Sequence, residues 1–270
     1  MKKRSSNVIL IVMLLIGLSL LLYPSLSNYW NSLHSTQVIS SYTEQVVGMD
    51  RDAYDGLWEA ARTHNRTLAQ RARPMGLSDT ERERYNALLN VGGAGVMGYI
   101  EIERIGVSLP IYHGTDDAVL QSAVGHLEWS SLPAGGESTH CVLSGHRGLP
   151  SAKLFTHLDQ MEEGDTFLLR ILDETLTYEV DQIRIVEPHE VEELGIVAGE
   201  DLCTLVTCTP YGINTHRLLV RGHRVENAAA PIHVTADALQ IDPLLVAPLV
   251  ALPMLLALLA WVLLRTGKKN

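Results

Sequence analysis

The chain has 270 residues, 46% of them hydrophobic, and its 21 basic and 31 acidic side chains leave a formal net charge of −10. That length suits one sizeable core with accessory segments rather than two large domains, and the acidic balance argues against nucleic acid as a partner. Three cysteines without a Cys-x-x-Cys pair, and histidines without pairing at helical spacing, give no metal-site pattern, and neither a metal nor a cofactor is expected.

Lys2, Lys3 and Arg4 make residues 1–7 a basic flank. The uninterrupted aliphatic run that follows marks residues 8–23 as a signal anchor or the apolar part of a signal peptide. Tyr23, Tyr29 and Trp30 suit a membrane interface, while Ser25-Leu26-Ser27 offers a weak cleavage site. Residues 244–264 are long and apolar enough to cross a bilayer and lead into a basic tail, 265–270, with Arg265, Lys268 and Lys269. Positive charge at the outer end of both runs predicts that both termini are cytoplasmic and the middle of the chain lies outside the cell. Without those flanks 15 basic residues face 31 acidic ones, about −16, with Lys153 as the single lysine.

Residues 24–96 read as a helical lead-in. Val38, Tyr42, Val46 and Val47, then Leu57, Trp58, Ala61 and Leu68, recur at three- and four-residue intervals, which predicts a helical hairpin over 30–73. Arg73-Pro74-Met75-Gly76 breaks it, and Ser78 with Glu81 forms a capping box that opens a short helix through residue 89. Gly92, Gly93 and Gly95 mark a flexible entry to the next region.

From 97 to 226 the texture is β. Runs at 97–103, 107–112, 141–144, 166–171, 176–186, 202–207 and 216–225, separated by turn residues, predict a mainly β barrel or sandwich. Stretches 116–123, 151–158 and 188–194 read as brief helices on its rim. Residues 227–243 form a tether to the second apolar run.

Three cysteines cannot all pair with one another. Cys141 and Cys203 sit inside apolar runs, where a small buried thiol is the usual reading, whereas Cys208 ends the strand-like run Thr204-Leu205-Val206-Thr207-Cys208. Thr209-Pro210-Tyr211-Gly212-Ile213-Asn214 supplies turn chemistry that folds the next run back and sets Arg217 near the thiol. A thiol nucleophile needs a group that takes its proton. His146 ends the run Cys141-Val142-Leu143-Ser144, five residues after Cys141, just as Cys208 lies five after Cys203. Parallel, adjacent strands would bring His146 to Cys208 and make Cys141 and Cys203 neighbours, as packed thiols or as a disulfide. A guanidinium beside the thiol suits a substrate carbonyl and the oxyanion formed from it.

The run ending in Cys208, with Arg217 and His146, resembles the sortase signature. Gly125-His126, Ser131-Leu132-Pro133-Ala134-Gly135-Gly136, Thr139-His140, Ser144-Gly145-His146-Arg147-Gly148-Leu149-Pro150 and Lys153-Leu154-Phe155 are similar to class C sortases, the pilin-polymerising group. So are Thr207-Cys208-Thr209-Pro210-Tyr211-Gly212 and Asn214-Thr215-His216-Arg217-Leu218-Leu219-Val220. The likeness spans about residues 97–226, the catalytic barrel it implies.

The resemblance implies an eight-stranded sortase β-barrel with short rim helices, an N-terminal helical lead-in and two terminal transmembrane segments. It also implies a cell-membrane enzyme of a Gram-positive organism, with the catalytic domain extracellular. Cys208 would attack the Thr-Gly bond of an LPXTG-like sorting signal to form a thioester. His146 would shuttle the proton, and Arg217 would hold the substrate and its oxyanion. The donor would be a pilin or surface protein and the acceptor a pilin lysine, with membrane lipid as a further partner. Thr207, Thr209 and His126 are expected to help bind substrate. The nearest alternative attaches surface proteins to a cell-wall peptide amine. From another class, the chain would be a non-catalytic exported β-barrel for binding or assembly.

Class C members commonly carry an Asp-Pro-aromatic lid ahead of the barrel. The matching stretch here, Arg73-Pro74-Met75, keeps only the proline, so residues 71–80 are expected to form a variant lid in which Met75 covers an apolar cleft. Leu132-Pro133-Ala134-Gly135-Gly136 looks like a sorting signal but lies mid-chain without an apolar tail behind it.

Overall fold

The computed structural model describes residues 2–70 and 76–227, with side chains from residue 11 onward. Arg73, Pro74 and Met75, most of the tether and the apolar run 244–264 lie outside the described residues. Residues 31–229 form one compact unit by their internal contacts, and residues 1–30 belong to another.

Helix α1, Lys2–Val47, runs unbroken through Pro24, joining the first apolar run to the start of the helical lead-in. An 18-residue window within its stretch Ile11–Val47 reaches a mean hydropathy of 1.8, which makes this the one helix among the described residues long and apolar enough to cross a membrane. Met13, Leu20, Leu21 and Trp30 on it are exposed.

Gly48-Met49-Asp50 turns the chain. Asp50 caps helix α2, Arg51–Ala69, by accepting from the Ala53 amide at 2.8 Å. The face of α2 foreseen from its spacing does go inward: Trp58, Ala61 and Leu68 are buried, with Asn65 among them. Helix α3, Asp79–Ala87, opens on the expected capping box of Ser78 and Glu81.

Eight strands follow: β1 Val96–Ile102, β2 Val107–His113, β3 Val124–His126, β4 Thr139–Ser144, β5 Thr166–Ile171, β6 Glu174–Val186, β7 Asp201–Thr209 and β8 His216–Val225. They close into one barrel in the order β1-β2-β3-β4-β7-β8-β6-β5, and closure leaves no unpaired edge. The pairs β2–β3 and β4–β7 are parallel. Strand β3, only three residues long, is too short for periodicity to reveal.

Of the rim helices, 116–123 shrinks to α4, Asp117–Leu120, and 188–194 to a single 3-10 turn at Glu192–Leu194. Residues 151–157 form no helix, and only a 3-10 turn, Leu158–Gln160, begins at the end of that stretch. Leu154 takes a left-handed φ of 38°, and the Phe155 amide is drawn to the His146 carbonyl at 3.1 Å.

Alternation along the strands separates two apolar faces. Cys141, Leu143, Cys203, Leu205, Leu218 and Val220 join the large core inside the barrel, which also takes in Tyr42, Trp58 and Tyr85 from the helices. Val142, Val206 and Leu219, one step out of phase, belong with Leu194 to a smaller cluster on the outer face.

Candidate active site

Register places the three residues the motifs single out. Cys208 on β7 is the direct cross-strand partner of Arg217 on β8. Parallel pairing matches Cys141 to Cys203 and Ser144 to Val206, and two further steps along each strand lead to His146 and Cys208. Sequence spacing foresaw this juxtaposition. Cys208 and Arg217 share the phase of Val206 and Leu219, so both project from the outer face at one rim of the barrel.

The His146 segment is pinned although it lies beyond the end of β4. The Gly145 amide donates to the Val206 carbonyl at 3.1 Å, and Thr207 Oγ1 donates to the Gly145 carbonyl at 2.7 Å. Gly145 must be glycine, because a Cβ there would come within 2.7 Å of the buried Phe155 ring. Phe155 in turn donates its amide to His146, so the backbone carrying the imidazole is held from both sides. Cys208, His146 and Arg217 all remain partly exposed, and Cys208 is a free thiol.

Arg217 is oriented by its own strand entry. Its Nη1 donates to the carbonyls of Asn214 at 3.3 Å and His216 at 3.1 Å. Asn214 closes the turn through a left-handed φ of 60°, a conformation asparagine tolerates better than most residues. A thiol, an imidazole and a guanidinium on one rim are groups that can serve as a nucleophile, a proton acceptor and an oxyanion donor.

The residues expected to assist in binding are not open to a substrate. His126 is fully buried. Its Nδ1 meets the Tyr85 hydroxyl at 2.8 Å and its Nε2 meets the Ser131 carbonyl at 2.8 Å, so it docks α3 on the barrel. Thr207 is buried and its hydroxyl is committed to Gly145. Thr209, 7% exposed, accepts a hydrogen bond from Arg147 Nη1 at 3.3 Å. Both threonines are out of phase with Cys208, which is why neighbours in sequence face the other way.

Cys141 and Cys203 are register partners, buried and free. Burial pushes the Cys203 thiol well up, which keeps it protonated. The sequence likeness at 132–136 to a sorting signal is hidden as well, since Leu132 and Ala134 are buried.

A fully closed eight-stranded barrel bearing a thiol, an imidazole and a guanidinium at one rim defines a class of thiol acyl-transfer proteins. A family model described as the sortase domain matches residues 100–225. Sortase C1 of Streptococcus agalactiae is 50% identical with a TM-score of 0.70, covering 71% of this chain and 100% of that one. Sortase C of Streptococcus pneumoniae is 46% identical with a TM-score of 0.65, covering 73% of this chain and 100% of that one. Sortase D of Bacillus subtilis is 32% identical over 131 residues, 47% of this chain and 63% of that relative, so the chain spans less than two thirds of its length. The chain belongs to the sortase family, whose members are cysteine transpeptidases, and its solved neighbours are sortases of class C.

Proposed function

We propose that this chain is a membrane-anchored cysteine transpeptidase that joins an LPXTG-like sorting signal to a pilin lysine and so builds covalent pili. The observation that carries the reading is the Cys208–Arg217 register pair with the His146 segment pinned just past the end of the neighbouring strand. The solved Streptococcus pneumoniae sortase C, described as informing pilin substrate specificity, supports a pilin as the substrate class.

In this reading His146 takes the Cys208 proton, and the thiolate attacks the carbonyl carbon of the sorting-signal threonine. Arg217 stabilises the resulting oxyanion. The Thr-Gly bond breaks, the leaving amine takes a proton from His146, and a thioester remains. A lysine amine then gives its proton to His146, attacks the thioester and releases Cys208 with a new isopeptide bond. The partly exposed Leu127, Trp129 and Val186, packed on the buried Val206 and Leu219, present apolar surface that suits the leucine and proline of such a signal. Helix α1 supplies the anchor, and a second span at 244–264 would leave both termini cytoplasmic and the barrel outside the cell.

The test is intact-mass measurement after adding a sorting-signal peptide. A thioester adduct is expected on the wild-type chain and none on Cys208→Ala. Absence of the adduct on the wild type would sink the enzymatic reading in favour of a non-catalytic barrel. Given an adduct, ladders that depend on one pilin lysine support pilus assembly, and transfer only to a cell-wall peptide amine supports the attachment alternative.

A further inference from the structure

Arg147 follows His146 in sequence, and its side chain reaches Thr209, the residue after Cys208, together with Asp159 and Tyr211. Its Nη2 pairs with Asp159 at 2.5 Å and its Nη1 donates to Thr209 Oγ1 at 3.3 Å. The guanidinium carbon lies 6.0 Å from the centre of the Tyr211 ring. Thr209 is the residue after the nucleophile, and Tyr211 sits in the turn that leads to Arg217. One cation therefore touches the nucleophile's neighbour and the turn ahead of the oxyanion donor, while its own backbone continues from the base.

A second contact closes the same junction. The Tyr211 ring lies over Gly148, where a Cβ would meet it at 3.0–3.3 Å, and Gly148 has a φ of 78°. The side chain of Arg147 is only 10% exposed, so it offers a substrate little surface. Nη1 and Nη2 each serve a different partner, Thr209 and Asp159, which a planar fork satisfies and a lysine ammonium on a flexible stem does not.

Resting on the acyl-transfer reading above, we propose that Arg147 is a positioning residue. It locks the His146 segment to the Cys208–Arg217 rim and thereby sets the approach of imidazole to thiol. It exchanges no proton and touches no substrate.

The test uses the full chain in detergent and compares Arg147→Met, Arg147→Lys and Thr209→Val with wild type. Iodoacetamide alkylation of Cys208 across pH reports on the thiol–imidazole relation without any substrate. Single-turnover thioester formation with a sorting-signal peptide reports on acylation. Both Arg147 variants should shift the alkylation profile and slow acylation at least tenfold, with half-saturating peptide changed less than twofold. Thr209→Val, nearly isosteric, should shift the profile in the same direction and add nothing to Arg147→Met in the double variant. The proposal is overturned if the profiles superimpose on wild type, if half-saturation rises while the acylation rate holds, or if Arg147→Lys restores both. Should Arg147→Met not fold, Arg147→Lys and Thr209→Val decide alone. A wild-type chain that is alkylated normally but forms no thioester sinks the acyl-transfer reading instead, and the alkylation comparison still judges Arg147.

Discussion

Arg217 has a fixed orientation because two backbone carbonyls hold its Nη1. In the proposed acyl transfer, a permanently charged donor so held would need no rearrangement when charge develops on a substrate oxygen. Arg217→Ala should therefore cost about 2.7–4 kcal/mol in the acylation barrier, roughly a hundredfold to a thousandfold in single-turnover rate. Arg217→Lys should recover little, because an ammonium cannot reproduce the fork; a near wild-type rate in the lysine variant would show that charge alone suffices. The other thiols supply a check on the same scale. Cys141 and Cys203 are buried and Cys208 is not, so native alkylation should add one mass increment and alkylation in denaturant three. A second adduct on the folded chain would contradict the burial. His146, Cys208 and Arg217 were legible in the sequence because strand ends and equal five-residue offsets fix position along a strand. The burial of Thr207, Thr209 and His126 was not legible, because closeness to Cys208 in sequence says nothing about facing the same way: the threonines are one step out of phase, and His126 is spent on Tyr85.

Helices α2 and α3 meet the barrel through polar anchors as well as apolar faces. Asn65 on α2, 2% exposed, donates to the Leu132 carbonyl at 3.0 Å and accepts the Leu132 amide at 2.8 Å, as a strand neighbour would. Tyr85 on α3 binds His126 and also accepts the Gly114 amide at 3.1 Å. Burial pushes its hydroxyl well up, so it remains a protonated donor. Asn65→Ala and Tyr85→Phe each strand buried groups at about 1–3 kcal/mol apiece, and urea unfolding should show losses of that order. Losses under 0.5 kcal/mol, on the order of an exposed substitution, would mean the helices are held by their apolar faces alone. Periodicity gave those faces because Trp58, Ala61 and Leu68 follow the helical repeat. It gave no role to Asn65, since a polar residue on an apolar face reveals its partner only once the loop carrying Leu132 is in place. The helix read at 151–158 failed for a related reason: the pull of the His146 carbonyl on Phe155 is a tertiary contact that local propensity does not contain.

The two parts of α1 differ in what they expose. Its first part exposes apolar side chains that suit lipid, while its last turns belong to the barrel unit, where Tyr42 and Val46 enter the core. Tyr42 is the critical group. Its hydroxyl donates to the Met97 carbonyl at 2.9 Å and accepts the Leu172 amide at 2.7 Å, tying the start of β1 to the turn after β5. A fragment covering residues 31–229 keeps these contacts and every buried core residue of the described chain, so it should fold as a soluble monomer and form the Cys208 thioester. A fragment starting at residue 48 loses Tyr42 and Val46 together. Removing a large buried aromatic costs about 3–5 kcal/mol, and the stranded Met97 and Leu172 groups add to it. Thermal melts of the two fragments should therefore separate by well over 10 °C, given that about 1 kcal/mol moves the midpoint of a domain this size by roughly 2–4 °C. Coincident melts would show that the end of α1 adds nothing to the stability of the barrel; a wide gap makes Tyr42 and Val46, and with them the last turns of α1, part of the barrel's own fold.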